Sequence, residues 1–181
     1  MSTRLLIKGK KYGVHQIEKK DGYGYDAKTL ERLDSTMTKS LREAECPRIM
    51  CMDVQFPPSK TGEINRLFRS AQADYIKKNE RCKIPTSYVG FKDVAEPNTI
   101  RLAVIYDSEK IMDQELTARL EKTINKRLDN EFETAEVICS GDSIPLAKSS
   151  YEQAFFHASS IAQVKIESIS DRQRVLFASK C

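Results

Sequence analysis

"NTIRLAVIYD", Asn98 to Asp107, alternates with a period of two. Ile100, Leu102, Val104 and Tyr106 share one face, and Thr99, Arg101, Ala103, Ile105 and Asp107 share the other. The pattern predicts a strand over Thr99–Asp107 with an arginine in its middle. Upstream, "IPTSYVGFKDV" (Ile84–Val94) predicts a second strand, and "EPN" (Glu96–Asn98) a turn between them. So short a connection favours an antiparallel hairpin. A third strand is expected in "RIMCMDVQF" (Arg48–Phe56), closed by Pro57 and Pro58. Asp53 interrupts its apolar run. A carboxylate there is costly to bury unless paired, and Arg101 on a neighbouring strand is a candidate partner.

Helical spacing surrounds these strands. Asp26 stands as an N-cap before Leu30, Leu33, Met37 and Leu41, which recur on one face. That helix should end before "ECPR", because the residue preceding Pro47 is pushed out of helical angles. Further helices are expected over Thr61–Asn79, Asp113–Leu128 and Tyr151–Ala162, and short strands over Ala135–Ser140 and Arg174–Ser179. "KKDGYGYD" (Lys19–Asp26) and "GDSIPL" (Gly141–Leu146) are expected as loops. The order implies an α+β fold: an antiparallel or mixed central sheet with helices packed mainly on one face, the other face being free for a ligand or partner. Residues 1–25 are expected as a basic arm and residues 26–181 as a single domain.

The chain has 181 residues, 31% of them charged, and no tryptophan. No apolar run approaches the roughly 20 residues that cross a bilayer, and the N-terminus lacks the apolar core of a secretory signal. Five scattered cysteines without a CxxC pair disfavour a zinc ribbon and suit reduced thiols in a cytoplasm. His15 and His157 are too few and too far apart for a histidine-rich metal site, and no metal or cofactor is expected. Walker A, GxGxxG and G-x-S-x-G motifs are all missing. A Cys139–His157 nucleophile pair has no recognised local signature.

The net charge of +4 is unevenly placed. Residues 1–20 hold Arg4, Lys8, Lys10, Lys11, Lys19 and Lys20 against Glu18, a net +5, so the remainder is close to neutral at −1. Such an arm suits nucleic acid or an acidic protein face, or is simply a solvated tail. Tyr23 and Tyr25, which follow it, suit stacking on a partner, or cover the edge of a core.

Three blocks, "PRIMCMDVQFP", "NTIRLAVIYD" and "FFHASSIAQVKIES…RVLFAS", together resemble the YagK/YfjJ C-terminal domain family. These are replication-initiator-like proteins of inoviruses, prophages and phage satellites, related to the HUH endonuclease fold. The resemblance spans roughly residues 30–179. It implies a DNA-nicking ancestry in which two strand histidines hold a divalent metal and a tyrosine attacks the phosphate. Aligned on the strand, the histidines fall on Thr99 and Arg101, a following asparagine on Asp107, and the tyrosine on Ser160; a lysine falls on Gln163. Asp53 matches the acidic residue of the first block. Arginine has no lone pair for a metal, and Ser160 has no evident base. The resemblance therefore implies a degenerate site at Asp53, Thr99, Arg101 and Ser160, with Arg101 replacing the metal's charge against Asp53 or Asp107.

The functional expectation is a non-enzymatic protein of a mobile element that binds a protein partner. A phage structural or capsid protein, bound for scaffolding or assembly, is the example; an oligomer is compatible with this. A non-cleaving DNA-binding regulator or replication accessory is the alternative, and an enzyme of altered chemistry a third. Arg4, Lys8, Lys10, Lys11, Lys19, Lys20, Tyr23 and Tyr25 are the candidate partner-binding residues.

Overall fold

A computed structural model describes residues 3–8, 14–19, 22–93, 95–128, 133–165 and 174–179. In chain order the elements are β1 (Thr3–Lys8), β2 (Val14–Lys19), β3 (Tyr23–Tyr25), α1 (Ala27–Glu43), β4 (Pro47–Gln55), α2 (Ile64–Arg81), β5 (Thr86–Lys92), β6 (Thr99–Asp107), α3 (Asp113–Leu128), β7 (Glu136–Cys139), β8 (Ile144–Pro145), α4 (Tyr151–Ala158), β9 (Gln163–Lys165) and β10 (Val175–Ala178). The central sheet is antiparallel, in the order β10–β5–β6–β4–β7, with β8 also pairing β4. This is the expected α+β fold. The β5–β6 hairpin forms, with Thr86 opposite Tyr106 and Phe91 opposite Arg101.

The sheet is covered on both faces, which corrects the expectation of helices mainly on one. α2 and α3 pack on the face carrying Met50, Met52, Ile100, Leu102 and Val104. α1 and α4 pack on the face carrying Ile49, Cys51, Ala103 and Ile105. The reason is visible in β4, where Ile49, Met50, Cys51 and Met52 form an unbroken apolar run and are all buried. A continuous run belongs to a strand buried on both sides, whereas strict alternation belongs to one with a solvated face.

Local chemistry sets the helix ends. Asp26 caps α1, its carboxylate accepting from the Thr29 N–H and hydroxyl, both at 2.8 Å. α2 starts three residues later than expected, because Pro58–Lys60 first forms a single 3₁₀ turn. It ends with Lys83 in the left-handed region at φ 57°, a place glycine usually takes. The last turn expected of α4 is a 3₁₀ turn, Ser159–Ala162.

Three expected loops or tails hold strands. β3 lies within the Lys19–Asp26 segment and pairs with β9, Tyr25 opposite Gln163. β8 lies within Gly141–Leu146. β1 and β2 form an antiparallel hairpin, so the described part of the basic arm is a two-stranded ribbon. Arg4, Lys8 and Lys19 lie on its strands; Lys10, Lys11 and Lys20 fall outside the described residues.

Candidate functional site

β4 and β6 run side by side in the middle of the sheet, and their register sets Asp53 directly opposite Arg101. Both side chains stand on the face that carries α1 and α4. Toward the opposite end of these strands that face is packed; at the Asp53–Arg101 end it opens into a cleft of about 660 Å³. The 3₁₀ turn after α4 brings Ser160 to the rim, and β3 brings Tyr23 and Tyr25. Three positions far apart in sequence, Asp53, Arg101 and Ser160, thus share one cleft.

Thr99 does not join them. It sits at the start of β6, opposite Gln55, with its N–H held by the Glu96 carbonyl at 3.1 Å. It lies on the Arg101 face but outside the cleft lining.

Arg101 is the centre of the site, its side chain 15% exposed. Its guanidinium donates to the Gln163 carbonyl at 2.6 Å and lies 3.8 Å from the Asp93 carboxylate and 3.4 Å from Glu96. It also stands over the Phe91 ring, 5.8 Å from the centroid, a cation–π contact. Its ion-pair partners are therefore Asp93 and Glu96. Asp53 is across the strand, close enough to act through its field but not ion-paired. Burial raises the Asp53 carboxyl above its usual range; the Arg101 charge opposes this and Glu96 adds to it.

Asp107 is not part of the balance. Six residues further along β6, about 20 Å by strand geometry, its carboxylate accepts from the backbone N–H groups of Glu45, Cys46 and Glu109. It anchors the α1–β4 connection. The expectation that Arg101 balances Asp107 is corrected by that distance.

Ser160 donates its hydroxyl to the His157 carbonyl at 2.8 Å, an ordinary helix-end bond that does nothing to activate it. Below it Cys51 is buried, and burial pushes its thiol up to about 12, with the nearby Ser160 hydroxyl opposing and the Asp53 charge adding. A thiol held protonated is inert as a nucleophile. His157 lines the cleft; burial lowers its pKa, and its Nε2 meets no partner among the described residues. Cys139 is on the other face, its sulfur 3.7 Å from the Met50 sulfur, so the sheet separates it from His157.

The two tyrosines divide between their expected roles. Tyr25 packs against the core and receives the Gln163 side-chain amide at 3.3 Å. Tyr23 lines the cleft with Phe156, which is 42% exposed. Asp93, Glu96 and Gln163 were missed as site residues. Strand alternation would have found Asp93: it follows Phe91 by two residues, and Phe91 faces Arg101 across the hairpin.

Among the described residues no group of three or more His, Cys, Asp or Glu side chains is arranged to hold a metal, and no helix is long and apolar enough to cross a membrane. Comparison with family models, curated proteins and solved structures finds no match for the chain.

Proposed function

We propose that the chain is a non-enzymatic interaction protein of a phage, prophage or phage satellite, built on a replication-initiator scaffold whose nicking site has become a binding cleft. One observation carries this reading: the positions that the resemblance assigns to metal site and nucleophile, Arg101 and Ser160, meet Asp53 in one cleft while carrying side chains of the wrong chemistry. A guanidinium cannot ligate a metal, and this one is tied to Asp93, Glu96 and the Gln163 carbonyl. The scaffold is kept and the reactive groups are replaced.

The cleft's own character favours a protein occupant over DNA. Asp53 and Glu96 outnumber Arg101 in the lining, with Asp93 buried behind it, so a phosphate backbone meets net negative charge. Phe156 and Tyr23 add aromatic surface of the kind that anchors protein interfaces. A basic segment of a phage structural protein, held for scaffolding or assembly, is the partner that fits. Pull-down from phage-infected cells tests this, comparing the natural chain with Glu96→Lys and Phe156→Asp. The expected result is a protein partner kept by the first and lost by both variants. A strict monomer in light scattering that retains no phage or host protein overturns the reading. Incubation with single-stranded DNA and Mg²⁺ or Mn²⁺ should give neither cleavage nor a covalent adduct.

A second reading, DNA binding without cleavage, is favoured by a different observation. The net +5 of residues 1–20 falls on a segment whose described part is a two-stranded ribbon, a shape that enters DNA grooves. Mobility shifts at low and moderate salt decide it, because phosphate contacts weaken steeply with salt. No shift at micromolar protein in low salt removes it.

A further inference from the structure

A second cleft lies at the opposite end of β5 and β6. Here β10 stops and Ser179 closes onto Tyr88, while β5 runs on through Thr86 and Ser87. α1 and α2 wall the notch, whose volume is about 840 Å³, within the range of small-ligand sites.

Its inner wall holds an anomaly. Gln72, on α2, is 1% exposed, and among the described residues neither its Nε2 nor its Oε1 has a hydrogen-bond partner. Two turns further along the same face of α2, the Asn79 Oδ1 is also buried without a partner among the described residues, although its Nδ2 donates to Thr86 at 3.1 Å. Burying an amide with neither donor nor acceptor met is destabilising, and an apolar residue of similar shape would avoid the loss. A carboxamide offers a donor beside an acceptor, and its complement is a ligand edge presenting the same pair reversed, as nucleobases do. Gln72 is among the residues that line the cleft, and because the terminal torsion of glutamine is broad, a ligand with the complementary edge would draw the buried amide toward itself.

The rest of the cleft suits the remainder of such a ligand. Ala73, Ile76 and Ile84 supply apolar wall for a flat ring. Lys39, Arg69, Lys77 and Lys83 outnumber Glu43 and Glu80 around it, leaving net positive charge. Lys83 is held at φ 57°, where a glycine would be less strained; a lysine there places its charge at the mouth at some conformational cost. We propose that this cleft binds a nucleoside monophosphate, the base read by Gln72 and the phosphate held by the lysine-rich rim.

Titration calorimetry of the full chain with the four common ribonucleoside monophosphates, their free nucleosides and inorganic phosphate tests the proposal, alongside thermal unfolding of the empty protein. The expected result is saturable binding of at least one monophosphate, with its nucleoside and phosphate alone each weaker by roughly tenfold or more. Gln72→Met should weaken that binding by about tenfold while raising the Tm of the empty protein, since an unmet polar group is removed. Lys83→Gly should weaken the nucleotide but not the nucleoside. No binding of any monophosphate, phosphate binding as tightly as the nucleotide, or binding unchanged in Gln72→Met overturns the proposal. A higher Tm in Gln72→Met without any nucleotide binding would assign the amide to trapped water, and also overturns it. Should Gln72→Met fail to fold, Lys83→Gly decides, and unchanged nucleotide binding there counts as refutation.

Discussion

Arg101 carries a charge where water reaches little of it, so its surroundings must be protein. The Asp93 carboxylate beside it is 1% exposed, and Glu96 and the Gln163 carbonyl complete its contacts. Breaking one side of a buried pair leaves an uncompensated charge, the costlier half of such arrangements. Arg101→Met is therefore expected to destabilise the fold by about 2–3 kcal/mol, and Arg101→Lys by roughly half that, because it keeps the charge but loses the forked geometry. Urea denaturation measures both; equal stability of Arg101→Met and the natural chain would mean the arginine is merely tolerated. Asp53 behaves oppositely. Its folded-state pKa stands above the ordinary 3.8, so the ionised form is penalised by folding. That penalty is complete above the folded value and vanishes below the unfolded one. Asp53→Asn should accordingly stabilise the protein modestly at neutral pH, since solvent screens part of the penalty. The gain should shrink as pH falls toward 4 and can be followed in urea midpoints across that range. The nearness of Asp53 to Arg101 could be read from alternation on two strands. Of the true ion-pair partners, Asp93 was legible in the same way, whereas Glu96 was not, because its place depends on where the hairpin connection folds back.

At the scale of elements, the strands and helices with a strong period were legible. β6 and α3 fall where their apolar spacing predicts. α1 begins at its cap: the Asp26 N–H also bonds to the Ala162 carbonyl at 2.9 Å, tying the helix start to the 3₁₀ turn that carries Ser160. Asp26→Ala should cost about 1 kcal/mol through the lost cap. It should also loosen the Ser160 side of the cleft, seen as faster amide exchange at Gln163 and Val164 in β9. Unchanged exchange there would show that the cap and the cleft are independent. β3 and β9, by contrast, are three-residue strands. Two alternations are too few to distinguish a strand from a turn, and Gly24 in the middle of β3 erases one of them. Their pairing is a tertiary event, set by α4 delivering β9 beside the residue that starts α1. The same holds for β8, whose two residues include a proline.

The molecule is two hydrophobic cores sharing one sheet. Leu120 on α3 is fully buried on one side and Leu33 on α1 on the other, with β4, β5 and β6 between them. The sequence contained this arrangement in the unbroken run Ile49–Met52, yet one-sided packing was expected from the order of helices and strands. On one face of β6 the polar residues are Thr99, Arg101 and Asp107. Those three sit at or near strand ends and in the cleft, where the covering helices stop, while Ala103 and Ile105 between them are buried under α1 and α4. Of the three, Arg101 therefore marked the site, and none of them marked a solvated face. A shared sheet should make unfolding a single event, because neither core can open without exposing the back of the other. Leu33→Ala and Leu120→Ala are each expected to cost about 3 kcal/mol. Lying on opposite faces without common contacts, they should add to within about 0.5 kcal/mol in the double variant. Far-UV circular dichroism and near-UV tyrosine signals should trace coincident transitions in all three variants. Separate transitions, or a double variant much more stable than the sum implies, would show instead that the α1–α4 layer detaches on its own, and with it the wall of the Arg101 cleft.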